Sequence, residues 1–131
     1  MTHASAHIGP ELLETRLQAG RHTLLADEPA SNGGRDAGPA PYDLLLAALG
    51  ACTAMTLRMY ADRKGWRIDT LEVDLRILGT PEARHILRIL TLSGPDDAGR
   101  ARLAEIAERT PVTLTLKQGI AIETQLAEQT A

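Results

Sequence analysis

Cys52 is the only cysteine in this chain and the one side chain suited to covalent redox chemistry. A thiolate can attack a peroxide oxygen, exchange with a disulfide or ligate a soft metal. A single cysteine excludes an internal disulfide and any CxxC zinc or redox motif. The four histidines, His3, His7, His22 and His85, have no acidic cluster beside them. No metal site and no cofactor are therefore expected. Asn32-Gly33-Gly34 lacks the strand–glycine–helix–lysine surroundings of a phosphate loop, and Asp96 and Asp97 read as helix-start carboxylates rather than an acid/base pair.

On residue types alone, Cys52 reads as a packed core thiol, because free cysteine is among the most buried side chains. In a helix its neighbours are Leu45, Ala48, Leu49, Met55, Thr56 and Met59, mostly apolar surroundings that disfavour the thiolate. Eleven residues separate it from Pro41, roughly 16 Å at about 1.5 Å per helical residue. The helix dipole acts within the first turn and does not reach so far. A reactive Cys52 needs a cation from elsewhere in the fold.

The elements that must position this thiol follow from the pattern of residues. The 131 residues suit a single domain spanning 1–131, with 1–10 as a loose tail. Hydrophobic residues make up 44%, yet there is one Trp, two Tyr and no Phe, so the core must be aliphatic. So few aromatics leave no stacking platform for single-stranded nucleic acid. The net charge of -3, with arginines interleaved among acids, provides no basic stripe for a phosphate backbone. The amino terminus has no basic segment followed by an apolar run, and Leu44–Leu57 is too short to span a bilayer. The expectation is a cytoplasmic protein, with neither membrane nor nucleic acid as partner.

Glu11–Leu17 and His22–Asp27 read as strands joined by a hairpin turn at Gln18–Arg21. Glu28–Ala40, rich in Pro, Gly, Asn and Asp, is a loop longer than most connections, which favours a functional or interface role. Pro41 opens a helix, Asp43 favours its first turn, and Gly65 stops it after Lys64. The run from Leu44 to Leu57 is apolar on nearly every face, so protein must surround it. Asp69–Leu78 alternates with Leu71, Val73, Leu75 and Ile77 on one side, and Arg84–Leu92 is its antiparallel partner. A second helix starts at Ser93–Asp97 and stops near Thr110 before Pro111; Val112–Leu116 and Ile120–Leu126 read as closing strands. The order β-β-α-β-β-α-β-β predicts an α+β fold.

The segment GPAPYDLLLAALGACTAMTLRMYADRKGW, Gly38–Trp66, closely resembles the cysteine-bearing central helix of the OsmC/Ohr family, in particular its OsmC-like branch of redox proteins. The order of elements agrees along nearly the whole chain. The resemblance implies an intertwined homodimer whose sheets enclose two central helices, with thiol sites at the subunit interface. It also implies reduction of small organic hydroperoxides. In the family's catalytic members a first cysteine becomes a sulfenic acid, a second closes a disulfide, and a dithiol such as dihydrolipoamide reopens it. Cys52 corresponds to the first cysteine.

Three positions depart from the family's catalytic pattern. Thr110 occupies the slot of the second cysteine, so an oxidised Cys52 needs an external thiol reductant. Tyr42, followed by Asp43, stands where catalytic members carry a Glu that holds an activating Arg; the Tyr–acid pair is a trait of the OsmC-like branch. That Arg comes from the amino-terminal hairpin, where Arg16 fits best and Arg21 second. Two functions are consistent with this pattern. One is a one-cysteine hydroperoxide reductase in the oxidative stress response. The other is a dimer of the same fold without peroxidase activity, a binding or stress-associated protein.

Overall fold

The computed structural model describes residues 2–128. In chain order they form β1 (Ala4–Ile8), β2 (Thr15–Ala19), β3 (His22–Ala26), a 3-10 turn at Ala30–Asn32, α1 (Pro41–Lys64), β4 (Thr70–Thr80), β5 (Ala83–Ser93), α2 (Asp97–Ala107) and α3 (Pro111–Gln118). Contacts divide the chain into two compact units, with the boundary inside α1 between Ala48 and Leu49.

In the first unit, β1, β2 and β3 form an antiparallel sheet in that order. Gly20, at φ 59°, begins the two-residue turn between β2 and β3, where a type II′ hairpin needs a positive φ. β1 corrects the expectation of a loose tail over 1–10: Ala4 lies opposite Ala19 and Ile8 opposite Thr15. All five β1 residues are exposed, so the strand has no buried face to print a periodicity on the sequence. Backbone pairing alone holds it. β2 begins at Thr15 and not at Glu11, and it runs on to Ala19, so the turn is shortened to Gly20-Arg21.

The long loop is organised by Asp27, a buried carboxylate at the end of β3. One of its oxygens accepts the N–H of Glu28 at 2.8 Å; the other accepts those of Arg35 and Ala37, both at 3.1 Å. The N–H of Asp27 donates to the Pro39 carbonyl at 3.1 Å, which closes the loop on itself. Two glycines permit this winding: a Cβ at Gly34 would collide with the Glu28 carbonyl, and one at Gly38 with the Leu25 carbonyl. The amide of Ala37, more than those of Glu28 and Arg35, holds the Asp27 carboxyl below its usual range, against the opposing effect of burial.

α1 has the boundaries its sequence predicts. The Asp43 carboxylate accepts the N–H of Ala40 at 3.2 Å, which satisfies a donor ahead of the first turn. At the other end Gly65 takes φ 72°, and the N–H groups of Gly65 and Trp66 reach back to Asp62 and Ala61. That pair of bonds is a Schellman stop. At 24 residues α1 is long and apolar enough to cross a bilayer, a length that Leu44–Leu57 alone does not reveal. It serves instead as the core helix of the second unit, burying Leu49, Thr53, Leu57 and Ala61 at a spacing of four. Met55 and Met59, off that stripe, remain 61% and 55% exposed.

The second unit packs α1 and α2 on the β4–β5 hairpin. Leu71, Val73, Leu75 and Ile77 lie half-buried on one face of β4, as their alternation predicts. Leu57, Ala61, Ile68, Leu103 and Ala107 form the core, with Tyr60, Trp66, Leu71, Leu90 and Leu92 packed around them. Asp96 caps α2 by accepting the N–H of Gly99 at 2.8 Å.

The last stretch differs from its sequence reading. Val112–Leu116 is not a strand but part of α3, which starts with Thr110 in extended geometry and Pro111 in the first helical turn. The apparent alternation misleads, because Thr113 is the buried residue while Leu114 faces outward. Ile120–Leu126 has the composition of a strand, yet among the described residues no strand pairs with it, and it takes no regular secondary structure. The order is therefore β-β-β-α-β-β-α-α, still an α+β fold.

Asp27→Asn should loosen the 28–40 loop and lower the Tm at pH 7. Because the folded carboxyl titrates below its unfolded value of about 3.9, its contribution is complete above that pH and is lost as the pH falls through the folded value. The gap in Tm between wild type and variant should thus narrow towards pH 3, as followed by circular dichroism. A gap independent of pH would exclude the carboxylate as the organiser.

Candidate functional site

Cys52 is half-buried on α1, and its Sγ lies 3.9 Å from Thr56 Oγ1, one turn further along. The adjacent residue, Thr53, points into the buried stripe. Its hydroxyl donates to the Leu49 carbonyl at 2.7 Å, leaving the oxygen free to accept. Arg88 Nη1 donates to it at 3.0 Å.

Arg88 is the unexpected member of this site. The pairing of β5 with β4 sets Arg88 opposite Leu75, in phase with Ile86, Leu90 and Leu92 on the inner face. Its side chain is only 11% exposed. A guanidinium there must be satisfied within the protein. Nη1 also donates to Thr113 Oγ1 at 2.9 Å, and Nη2 donates to the Ala107 carbonyl at 2.8 Å and to Glu108 at 3.0 Å. One side chain thereby ties α1, the end of α2 and α3 to β5. Glu108 is shared with Lys117 at 2.9 Å, and Lys117 first, then Arg88, holds the Glu108 carboxyl below its usual range. Among the described residues, no buried side-chain nitrogen or oxygen lacks a partner.

Thr110 belongs to the same network. It is fully buried, and its hydroxyl is 2.6 Å from that of Thr113 instead of capping α3. Cys52 stands one residue outside this chain of bonds, with Thr56 as its polar neighbour. The other sequence candidates lie in the first unit. Arg16 is exposed on β2, between His7 on β1 and Leu25 on β3; Arg21 is exposed in the turn that follows. Tyr42 is exposed in the first turn of α1. Asp43 beside it carries the Ala40 hydrogen bond, a capping role. No group of His, Cys, Asp and Glu that could hold a metal ion occurs among the described residues.

The sequence reading missed Arg88, Thr53, Thr113 and Glu108. Only Arg88 left a signal: in the strand Arg84–Leu92 it falls on the apolar phase, where a charge is rare unless paired. The threonines left none, since their role depends on which helix faces which strand.

Arg88→Met should destabilise the protein by about 2–3 kcal/mol in urea unfolding, because a buried carbonyl and two buried hydroxyls lose a charged donor. Glu108→Gln should cost under about 1 kcal/mol, since the Glu108 side chain is 62% exposed and its ion pairs are screened. Equal effects would mean that the ion pair, and not the bonds to Thr53, Thr113 and Ala107, holds the corner.

A model of the family of OsmC-like proteins matches residues 33–125. Solved structures share the fold. An osmotic stress induced and detoxification response protein from Psychrobacter arcticus superposes with a TM-score of 0.75 at 19% identity, covering 88% of each chain. An OsmC-like protein from Mycoplasma pneumoniae gives 0.76 at 16% identity, over 89% of this chain and 87% of its own. The organic hydroperoxide resistance protein OsmC from Legionella pneumophila gives 0.70 at 20% identity, over 89% of both chains. No curated protein matches the sequence. The chain belongs to the OsmC-like protein family, whose model spans most of its length.

Proposed function

We propose that this protein is a redox protein of the stress response that reduces small organic hydroperoxides through Cys52 in a one-cysteine mode. The observation that carries the reading is the placement of the sole thiol: half-buried on the core helix, beside the buried stripe and next to a hydroxyl. The name of the Legionella relative, an organic hydroperoxide resistance protein, supports the same chemistry. The Cys52 thiolate attacks the terminal peroxide oxygen, the O–O bond breaks, and the alcohol leaves with a proton. Sulfur is oxidised to the sulfenic acid. One external thiol displaces water to form a mixed disulfide. A second releases the external disulfide and restores Cys52. The two thiols supply the two electrons that the peroxide consumes.

The working form in this proposal is a cytoplasmic homodimer in which each copy acts as one domain. The apolar surface of the second unit supports that reading. Met55 and Met59 are exposed on α1, and Ile122 and Leu126 in the carboxy-terminal stretch are 90% and 99% exposed. Such apolar side chains are available for a second copy to cover. Activation of the thiol is assigned to Arg16, with Tyr42 and Asp43 at the start of α1 and Thr110 filling the slot of a second cysteine.

The buried hydroxyl of Thr110, spent on Thr113, favours a second reading: a binding or stress-associated dimer of this fold without peroxidase activity. Peroxide consumption separates the two. With cumene hydroperoxide and excess dithiothreitol, the wild type should turn over and Cys52→Ser should fall to the uncatalysed rate. Equal rates for the two proteins would leave only the second reading.

A further inference from the structure

Asn32 and Gly33 lie exposed in the loop that joins β3 to α1. Asparagine is a chemically labile residue, and a glycine after it leaves the next backbone nitrogen unshielded by a Cβ. That nitrogen can attack the asparagine side chain. The winding of the loop opposes the attack from both ends. Asn32 closes the 3-10 turn Ala30–Asn32, where its own N–H donates to the Pro29 carbonyl at 2.9 Å. The Gly33 N–H, the nucleophile in waiting, donates to the Ala30 carbonyl at 3.1 Å. The target is tied elsewhere: Asn32 Nδ2 donates to Glu28 Oε2 at 3.3 Å. Gly33 also takes φ 89°, so the turn itself calls for glycine at this place and keeps the reactive pair in the chain.

The turn depends on Asp27. Glu28, which receives the Asn32 side chain, gives its N–H to Asp27 and its carbonyl to the N–H of Asp36. Arg35 and Ala37, just past the glycines, bond the other Asp27 oxygen. We propose that Asn32 is a latent modification site, closed by the Asp27-centred loop and exposed to reaction when that loop opens. The Gly33 nitrogen then loses its proton to base and attacks Asn32 Cγ. An N–C bond forms, the Cγ–Nδ2 bond breaks, and ammonia leaves. Water opens the resulting succinimide, at the side-chain carbonyl to give aspartate or at the backbone carbonyl to give isoaspartate. Either product sets a carboxylate against Glu28 where a donor stood. Isoaspartate also adds a carbon to the main chain inside the turn. Opening permits the reaction, and the reaction keeps the loop from closing as before. The switch works once and in one direction, on the segment that leads into Pro41. It is independent of any chemistry at Cys52.

The full chain is incubated in mildly alkaline buffer, and peptide mapping by mass spectrometry follows conversion at Asn32, with isoaspartate resolved by chromatography. Protein unfolded in guanidinium chloride should convert at least about tenfold faster than native protein, a ratio set by how rarely the loop opens. Asp27→Ala, shown by circular dichroism to be folded, should convert several times faster than the native wild type. If that variant does not fold, the wild type in sub-denaturing guanidinium chloride takes its place. Hydrogen exchange of the Gly33 amide and conversion of Asn32 should then rise in step. A native rate equal to the unfolded one overturns the proposal, as does native conversion that follows neither Asp27→Ala nor exchange at Gly33. The consequence for the loop is read separately. Asn32→Asp should lower the Tm, and should lower it less in a Glu28→Gln background, where no carboxylate faces the new one. Equal losses in the two backgrounds would remove the repulsion that makes the switch one-way.

Discussion

The second unit is built around a charge that is nearly shut off from water, the 11%-exposed Arg88. Arg88 occupies a register position that its strand otherwise fills with Ile86, Leu90 and Leu92. Burying a guanidinium costs several kcal/mol unless hydrogen bonds replace its hydration. Here that role falls to two hydroxyls, one carbonyl and one carboxylate, drawn from α1, α2 and α3 and the corner between them. These partners explain otherwise odd residue choices. A buried Thr53 in the middle of an apolar helix, a buried Thr113 where Leu114 faces outward, and the buried hydroxyl of Thr110 all follow from one unmet cation.

This constraint also explains which parts of the fold were legible. α1 could be read to the residue, because Pro41, Asp43 and Gly65 are local signals whose physics acts within one turn. The β4–β5 hairpin was equally plain, since its alternation mirrors a face that is half-buried. The carboxy-terminal stretch was not. PVTLTL alternates like a strand, but burial of Thr113 is fixed by Arg88, which lies 25 residues away in sequence. β1 failed for the opposite reason: a strand held by backbone pairing alone leaves no pattern to detect.

The candidate site divides along the same line. Cys52 was visible because it is the only thiol in a long and specific motif, and Asp43 because a carboxylate in a first turn has an obvious donor to satisfy. Asp43 accepts the N–H of Ala40 there. Arg16 was chosen by correspondence to relatives. A guanidinium with four hydrogen bonds belongs instead to Arg88, on a strand whose pattern is otherwise aliphatic.

A thiol beside such a network is held differently from one in a purely apolar core. The Thr53 hydroxyl is fixed from two sides, by the Leu49 carbonyl it donates to and the Arg88 donor it accepts. Rotation of α1 about its axis would break both the Arg88 bond and the packing of Leu57 and Ala61. The facing of Cys52 is therefore set by its neighbour and not by its own contacts, since a thiol 3.9 Å from a threonine hydroxyl is weakly held. That division suits a residue that must change chemical state. A sulfur passing through sulfenic acid and mixed disulfide gains one or more heavy atoms, and a fold that relied on packing the thiol tightly would strain at each step. Here the orienting bonds belong to Thr53 and Arg88, which no step of the proposed cycle alters.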